Sequence, residues 1–551
     1  MTTSTLNSLA HASSAYLRSA MHQPIRWHEW GEEAFASAQR ENKPMLLDIG
    51  AVWCHWCHVM DRESYDDPTI AEIVNEHFIA VKVDRDERPD IDGRYQAAVQ
   101  AVSGQGGWPL TAFLTPDGKP FYGGTYFPPN DGYGRPSFRR VLLSIANAYK
   151  EKHGDVVEQA KMVESAIAQS ESFAGRSGLV SPAMITAILE SAQKMFDPQH
   201  GGFGQAPKFP HPSALEVLIE RYARGAGGPE LRNIIVTTLE RMARGGVYDQ
   251  LAGGFHRYSV DERWVVPHFE KMCYDNSELL KNYVHAYQAT GEPFFAGVAR
   301  DIVRWMDEWL SDRDRGGFYA SQDADITMDD DGDYFTWTLD EARAVLTEEE
   351  TQVASLHYDI NEIGEMHHNP AKNVLFVRAP IDEIARRMNL TPDRVKELLD
   401  SAKKKMYTAR LQRQAPYIDK TVYVGWNSLC ISAYLEAARV LGLPEAQRFA
   451  LRSLDRVLAQ AWKHAASPSA GDGARAASLL HVVAYSDPKA EHREVAGLLD
   501  DYAFTALACL DAYETTADLS YFKFARSIVD AMIARFFDAT SGGFFDCQPA
   551  E

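Results

Sequence analysis

Apolar and polar positions follow two different patterns along the 551 residues, and the change falls near residue 180. Before it, short apolar runs are punctuated by turn residues. Met45-Leu46-Leu47-Asp48-Ile49-Gly50 follows Lys43-Pro44 and reads as a buried strand. Phe78 to Asp84 reads as a second strand. Leu110 to Thr115 reads as a third, closed by the turn Pro116-Asp117-Gly118-Lys119. Between the first two, Asp67-Pro68 opens a helix over Thr69 to His77 with Ile70, Ile73 and Val74 on one face. Strand, helix, strand and hairpin predict an α/β domain over residues 1–170.

From Ser181 the period becomes helical. Leu231, Ile234, Ile235, Thr238 and Met242 fall on one helix face, as do Leu279, Leu280, Tyr283, Val284 and Tyr287. Residues 155–180 are polar, with Ser and Gly towards the end, and read as the end of a helix plus a linker. The helical half also repeats itself. Asp, three variable residues and Gly-Gly-Phe recur at Asp197–Phe203, Asp249–Phe255, Asp312–Phe318 and Asp538–Phe544. The Tyr287-x-x-Thr290 segment is echoed at Tyr513-x-x-Thr516. Gly-bearing joints at this spacing predict stacked helical hairpins over residues 181–551. A closed (α/α) barrel is preferred to an open solenoid, because its loops carry His, Arg, Asp and Trp together.

Charge narrows the partners. With 77 acidic and 56 basic residues the net charge is −21, which argues against a nucleic-acid binder that works by phosphate neutralisation. No apolar run reaches the length of about 18 residues needed to span a bilayer, so no membrane partner is expected. The start, Met1 to Ala20, lacks the apolar core of a secretory signal, and the cytoplasm is the default location. Six cysteines in 551 residues do not make a disulfide scaffold.

Two of the six carry the first functional signal. Cys54 and Cys57 form a Cys-x-x-Cys after a buried strand and at the start of a helix. There the first sulfur meets unpaired helix N–H groups, which favour the thiolate. Cys54 is therefore the expected attacking thiol and Cys57 the resolving one. His55 would stabilise the thiolate further and make the disulfide more oxidising. Asp48, in the strand behind, would accept the proton from Cys57. Pro109, after Trp108 and before the third strand, is expected to be cis and to shape a peptide groove. Trp53, Trp56 and Trp108 are the groove's candidate walls. Cys54-x-x-Cys57-His58 also spells a c-type haem attachment motif, but the strand around it argues against haem. A metal held by Cys54, Cys57, His55 and His58 would need histidines less crowded in sequence. No metal or cofactor is expected.

The arrangement of Asp48, Ala51, Trp53, Cys54, Cys57 and Pro109 resembles thioredoxin. The match extends to Trp27-His28-Glu29-Trp30-Gly31, Val83-Asp84-Arg85-Asp86-Glu87-Arg88-Pro89-Asp90 and Gly104-Gln105-Gly106-Gly107-Trp108-Pro109. In the helical half it continues through Gly253 to Trp264, Pro267 to Met272, Asp323-Ala324-Asp325, Gly425-Trp426-Asn427 and Asp501 to Phe504. Together these look like the spermatogenesis-associated thioredoxin-like family. Its members join an N-terminal thioredoxin-like domain to a helical domain similar to the six-hairpin glycosidases and N-acylglucosamine 2-epimerases. The resemblance implies that fold but no settled reaction. Two departures stand out. Asp48 replaces a small polar residue usual in the family, and the sequence stops soon after Asp546-Cys547, which leaves open a toroid incomplete at its C-terminal end.

The helical loops supply a second candidate site. His256, Arg257, Trp264, His268, Glu270, Lys271, Asp275, Asp323 and Asp325 would converge if equivalent loops line one mouth, with Trp426 and Tyr502 as further aromatic walls. Such a cavity suits a sugar or another small polar ligand. Paired carboxylates could run glycoside hydrolysis, and a His pair epimerisation. A hydrogen-bonded network that only holds the loops is the competing reading. His285, His357, His367 and His368 read as solvated. Cys273, Cys430, Cys509 and Cys547 read as ordinary thiols, and Asp329 to Asp333 as a solvated acidic turn. The leading expectation is a thiol–disulfide oxidoreductase module with a protein dithiol or disulfide partner, fused to a ligand-binding helical barrel. The alternatives are a carbohydrate-active isomerase or hydrolase with a regulatory thioredoxin-like domain, and a non-catalytic binding protein.

Overall fold

The computed structural model describes residues 6–132, 134–171, 181–326, 332–464, 477–490, 492–540 and 542–548. Asp329 to Asp331 of the acidic turn, and residues 172–180 of the expected linker, lie outside them. The chain divides into two compact units. One comprises Met1–Gly178, Ser478–Asp500 and Met532–Glu551, and the other Leu179–Ala477 and Asp501–Ala531.

The first unit is built on a five-stranded sheet: β1 (Trp27–Glu29), β2 (Met45–Gly50), β3 (Ile79–Asp84), β4 (Leu110–Leu114) and β5 (Pro120–Gly124). Their order is β1-β3-β2-β4-β5. β1, β3 and β2 run parallel, and β4 and β5 complete the sheet antiparallel. Every residue of β2 and β3 is buried, which explains their nearly continuous apolar sequences. Around the sheet lie α1 (Ala15–Ser19), α2 (Glu32–Glu41), α3 (His55–Met60), α4 (Pro68–His77), α5 (Pro89–Ser103), α6 (Phe138–Glu151) and α7 (His153–Glu171). Asp67 caps α4, accepting from the Thr69 and Ile70 amides with Pro68 in the first turn, as the Asp-Pro pair predicts. The core between β-sheet and helices gathers Leu47, Ile49, Val81, Val83, Tyr95, Val99 and Leu110.

A late stretch of chain completes this unit. The His481 ring lies 2.9 Å from the Asp86 carbonyl through Nε2, and the Tyr485 hydroxyl donates to Glu87 at 2.9 Å. Arg493 reaches Glu29 at 3.1 Å.

The second unit is helical. It contains α8 (Pro182–Met195), then the hairpins α9 (Pro212–Ala223) with α10 (Gly228–Arg244), and α11 (Cys273–Thr290) with α12 (Pro293–Trp309). An insert follows: α13 (Leu339–Val345), α14 (Glu348–Tyr358), α15 (Ile381–Met388) and α16 (Pro392–Arg410). It packs around its own core of Trp337, Val353, Val395, Leu399 and Met406. Two more hairpins close the series, α17 (Val424–Leu441) with α18 (Pro444–Ala461), and α19 (Leu499–Thr516) with α20 (Leu519–Phe536). One helix of each hairpin sits beside its counterpart in the next. Asn282 of α11 donates to Glu216 of α9, and Ser428 of α17 bonds Thr505 of α19. This is the paired-helix, (α/α)-type architecture the repeats predict. Among the described residues, no helix is long and apolar enough to cross a membrane.

The four Gly-Gly-Phe copies share one geometry. In each, the first glycine N–H returns to the Asp carbonyl, and the Asp N–H takes the carbonyl of the second glycine. All eight glycines have positive φ. A Cβ on Gly253 would stand 2.8 Å from the Asp301 carbonyl oxygen, and one on Gly316 3.0 Å from that of Arg452. In these copies the first glycine lets the loop touch the neighbouring helix backbone, whereas an added Cβ on Gly542 or Gly543 would meet nothing within 4 Å. Asn276 and Asn427 finish the job by bonding both backbone groups of Phe255 and Phe318.

Candidate functional site

β2 delivers Cys54 to the start of α3, where it is the N-cap residue. Its Sγ accepts the Cys57 amide at 3.2 Å, a first-turn donor that the sulfur shares with the Cys54 carbonyl at 3.0 Å. Cys54 and Cys57 are joined in a disulfide with Cα atoms 5.2 Å apart, and both are buried. The Trp108–Pro109 peptide is cis. Because β4 pairs Leu110 with Ile49, Pro109 lies beside the end of β2 that leads into the dithiol.

Beneath the dithiol is a buried charge cluster. Asp48 takes three donors: Lys82 Nζ at 2.7 Å, and the Tyr16 and Tyr65 hydroxyls at 3.1 Å each. Lys82 also reaches Asp61 at 3.0 Å, and Gln23 donates to Asp61 at 2.9 Å. Burial pushes the Asp48 carboxyl above the usual range, while the Lys82 charge works against it. Burial would lower Lys82, but Asp48 and Asp61 more than reverse that and hold it raised. Asp48 is thus a carboxyl whose proton affinity burial enhances.

Two indoles, Trp53 just before the dithiol and Trp108 just before Pro109, are fixed by the Asp84–Asp92 segment. Trp53 donates to Asp86 at 2.7 Å, and Trp108 to Asp92 at 2.9 Å. The rings meet edge to face at 6.0 Å. The Arg85 guanidinium covers Trp108 at 4.4 Å and lies 3.4 Å from Asp92. Trp53 is buried, whereas Trp56 is 45% exposed and packs on Tyr126.

In the helical unit the predicted site residues separate into two groups. Three are consumed by the fold, against the expectation that they face a ligand. Lys271 is fully buried and neutralises Asp249, the turn Asp of the second Gly-Gly-Phe copy, at 2.8 Å. Arg410 pairs with the same carboxylate. Burial, with Arg410 adding to it, takes Lys271 down to about 8. His256 is buried and donates Nδ1–H to the Phe269 carbonyl at 2.7 Å; burial and then Lys271 lower it to about 3, so it stays neutral. Trp264 is fully buried over Gly202, with Lys208 5.5 Å from its ring. Tyr502 is fully buried too, while Trp426 is half-buried against Tyr274 and Tyr423.

The other group stays together. A small sheet joins Lys271–Met272, Ser321–Gln322 and Ile418–Asp419, and its register continues to set Glu270 opposite Asp323. Asp323 and Asp325 bring carboxylate oxygens within 4.8 Å of each other. Burial, then Asp325, raises the Asp323 carboxyl well above its ordinary value, and Glu270 adds to it. His268 lies 3.7 Å from Glu270, too far for a hydrogen bond, and stacks on Tyr258 at 4.5 Å. Tyr258 in turn stacks on the partly exposed Phe209 at 4.6 Å. Arg257 is half-buried and its amide bonds the Glu270 carbonyl; Asp275 opens the first turn of α11.

Human spermatogenesis-associated protein 20 is 36% identical over 577 residues, spanning 99% of this chain and 72% of that protein. The chain belongs to the spermatogenesis-associated protein 20 family. A second relative, the uncharacterized protein B0495.5 of Caenorhabditis elegans, is 34% identical over 569 residues, 99% of this chain and 76% of that protein. Residues 6–168 match the family described as Thioredox_DsbH, protein of unknown function, DUF255. Among solved structures, a DsbH oxidoreductase aligns with 23% of this chain and 85% of its own at 18% identity and a TM-score of 0.18. A sugar epimerase from a ruminal bacterium aligns with 66% of this chain and 90% of its own at 14% identity and a TM-score of 0.29. At those scores neither likeness carries an argument.

Several residues of this spermatogenesis-associated protein 20 family member escape sequence reasoning. His285, read as solvated, is clamped between Glu216 at 2.6 Å and Glu436 at 2.8 Å, from two neighbouring helices. Burial opposes its charge, but the two glutamates win and raise it to about 9. A histidine at a position facing two other helices is the only sequence signal, and periodicity does not reveal the facing residues. His357 is half-buried, bonded to the Ala379 carbonyl. Tyr16, Asp61 and Lys82 were missed around Asp48. Lys82 did leave a signal, a lone cation inside the apolar run Ile79 to Val83. Cys273, Cys430 and Cys509 are buried thiols, and burial pushes Cys509 up to about 12; Cys547 is exposed.

Proposed function

We propose that this protein catalyses thiol–disulfide exchange at Cys54 and Cys57. The observation that carries this reading is the position of Cys54: it caps α3 with its sulfur on a helix amide, directly after β2, above the buried Asp48. Cys54 attacks a partner disulfide, and Cys57 resolves the mixed disulfide with Asp48 as the proton acceptor. Pro109 and the indoles of Trp56 and Trp108 border the place where a partner peptide docks, and Trp53 braces them from within. The partner is a protein dithiol or disulfide. Equilibration in glutathione buffers tests the reading: Cys54 and Cys57 should change state together in one two-electron transition, read by thiol alkylation and mass. A dithiol that stays inert to glutathione across the whole range would remove it.

A second reading concerns the helical unit. Glu270 Oε2 is buried and has no hydrogen-bond partner among the described residues, beside Asp323, Asp325, His268 and the Phe209–Tyr258 stack. Aromatic faces next to acceptor carboxylates suit the hydroxyl groups of a sugar, and such a ligand would satisfy Glu270. Calorimetric titration with a panel of mono- and disaccharides tests it. Binding that Glu270→Gln weakens supports the site; no heat with any sugar removes it.

A further inference from the structure

Gly50 ends β2 with no room for a side chain. A Cβ there would lie 2.2 Å from the Tyr16 hydroxyl oxygen and 2.8 Å from the Cys57 sulfur. The hydroxyl and the resolving sulfur therefore crowd the same point above the Gly50 backbone. From that point the Tyr16 hydroxyl donates to Asp48 Oδ2 at 3.1 Å. Tyr16 comes from α1, an element outside the strand–dithiol–helix segment, and its side chain is 1% exposed. We infer that Tyr16 is a proton-relay residue, carrying the proton of Cys57 to Asp48 in the resolving step.

The inference rests on the oxidoreductase reading above and adds the route of the proton. In the mixed disulfide, Cys54 is bonded to the partner sulfur and Cys57 is a thiol. The Cys57 S–H proton passes to the Tyr16 oxygen, while the proton already on that oxygen passes to Asp48 Oδ2. The Cys57 electron pair then forms the Cys54–Cys57 bond. The bond from Cys54 to the partner sulfur breaks, and the partner leaves as a thiolate that water protonates. The oxidant is the partner disulfide; Tyr16 ends as it began, and Asp48 holds the proton until the site next opens to solvent. Direct transfer from Cys57 to Asp48 is the alternative, but the tyrosine oxygen stands against both groups. Burial raises the tyrosine's own pKa well above its ordinary value, with Asp48 adding to it, so the hydroxyl stays protonated and serves as a conduit instead of a store.

The test follows resolution of a glutathione mixed disulfide, made by mixing the reduced full-length protein with oxidised glutathione and timed by acid quench. Tyr16→Phe keeps the ring and removes the relay. It should slow resolution about a hundredfold or more at pH 7, the usual range for losing a proton-transfer group. The pH at which resolution becomes half-maximal should rise, and alkylation of Cys54 by iodoacetamide should keep its rate. In an Asp48→Asn background, Tyr16→Phe should cost nothing further, because both act on one proton. An unchanged rate and pH profile for Tyr16→Phe, or full additivity with Asp48→Asn, would overturn the inference. If the variant does not fold, the wild-type protein still decides. Resolution in mixed light and heavy water should show a bowed rate dependence from two moving protons, and a straight line would overturn the relay. A wild-type protein that forms no mixed disulfide at all fails a different claim, the oxidoreductase reading itself.

Discussion

Asp48 and Lys82 face each other across the parallel pair β2–β3, 2.7 Å apart, and neither side chain reaches solvent. The pair lies one residue step from the face that carries the apolar core, so a charged group is enclosed in each of the two most buried strands. Such pairs add little net stability when intact but are costly to break.

Removing the cation should expose that cost. Lys82→Met leaves Asp48 and Asp61 buried without their shared partner, and unfolding by urea should show a loss of roughly 3–5 kcal/mol. Adding Asp48→Asn to the same protein should recover part of it. A Lys82→Met protein as stable as the wild type would contradict the burial of this cluster.

His285 gives a pH-dependent contribution. Its pKa is about 9 in the fold against 6.5 ordinarily, so the unfolded chain binds the proton more weakly. The stabilisation is complete below about pH 6.5 and is lost as the pH rises through about 9. His285→Gln should therefore cost about 1–2 kcal/mol at pH 6, after allowing for partial exposure, and almost nothing at pH 10. Urea unfolding at the two pH values measures this. An equal loss at both would mean that the clamp between Glu216 and Glu436 does not hold the proton.

The repeated turn makes a positional prediction. Gly253 has φ of +82°, and a Cβ would meet the Asp301 carbonyl at 2.8 Å. Gly253→Ala should destabilise by about 2 kcal/mol or more through strain and displaced backbone. Gly297, inside α12 with nothing within 4 Å of an added Cβ, is the control. Gly297→Ala should be neutral or stabilising by up to about 1 kcal/mol. Thermal melts of the two variants should move in opposite directions or differ by several degrees.

The strands β2, β3 and β4 and the helix α4 are legible in the sequence because buried runs bounded by Pro, Asp and Gly admit few other readings. β1 is not, since three residues pair with β3 only after the chain has folded. The dithiol site is legible as far as its local segment extends. Tyr16 and Lys82 enter it from elements distant in sequence, as His481 and Tyr485 reach Asp86 and Glu87, and no spacing rule reaches them. The helical loops mislead in the opposite sense. Lys271, His256 and Trp264 look like a ligand-binding cluster, yet each is used inside the fold: Lys271 neutralises a buried turn Asp, Trp264 packs on a Gly-Gly pair and His256 bonds the Phe269 carbonyl. The juxtaposition of Glu270 and Asp323 is set by sheet register, which the sequence pattern does not display.

The most direct measurement is the rate at which the protein accelerates reduction of insulin disulfides by dithiothreitol. The wild-type protein should accelerate it well above dithiothreitol alone, Cys54→Ser should bring it back to that background, and Cys57→Ser should accumulate as a mixed disulfide through Cys54. A Cys54→Ser protein that matches the wild-type rate would contradict the account.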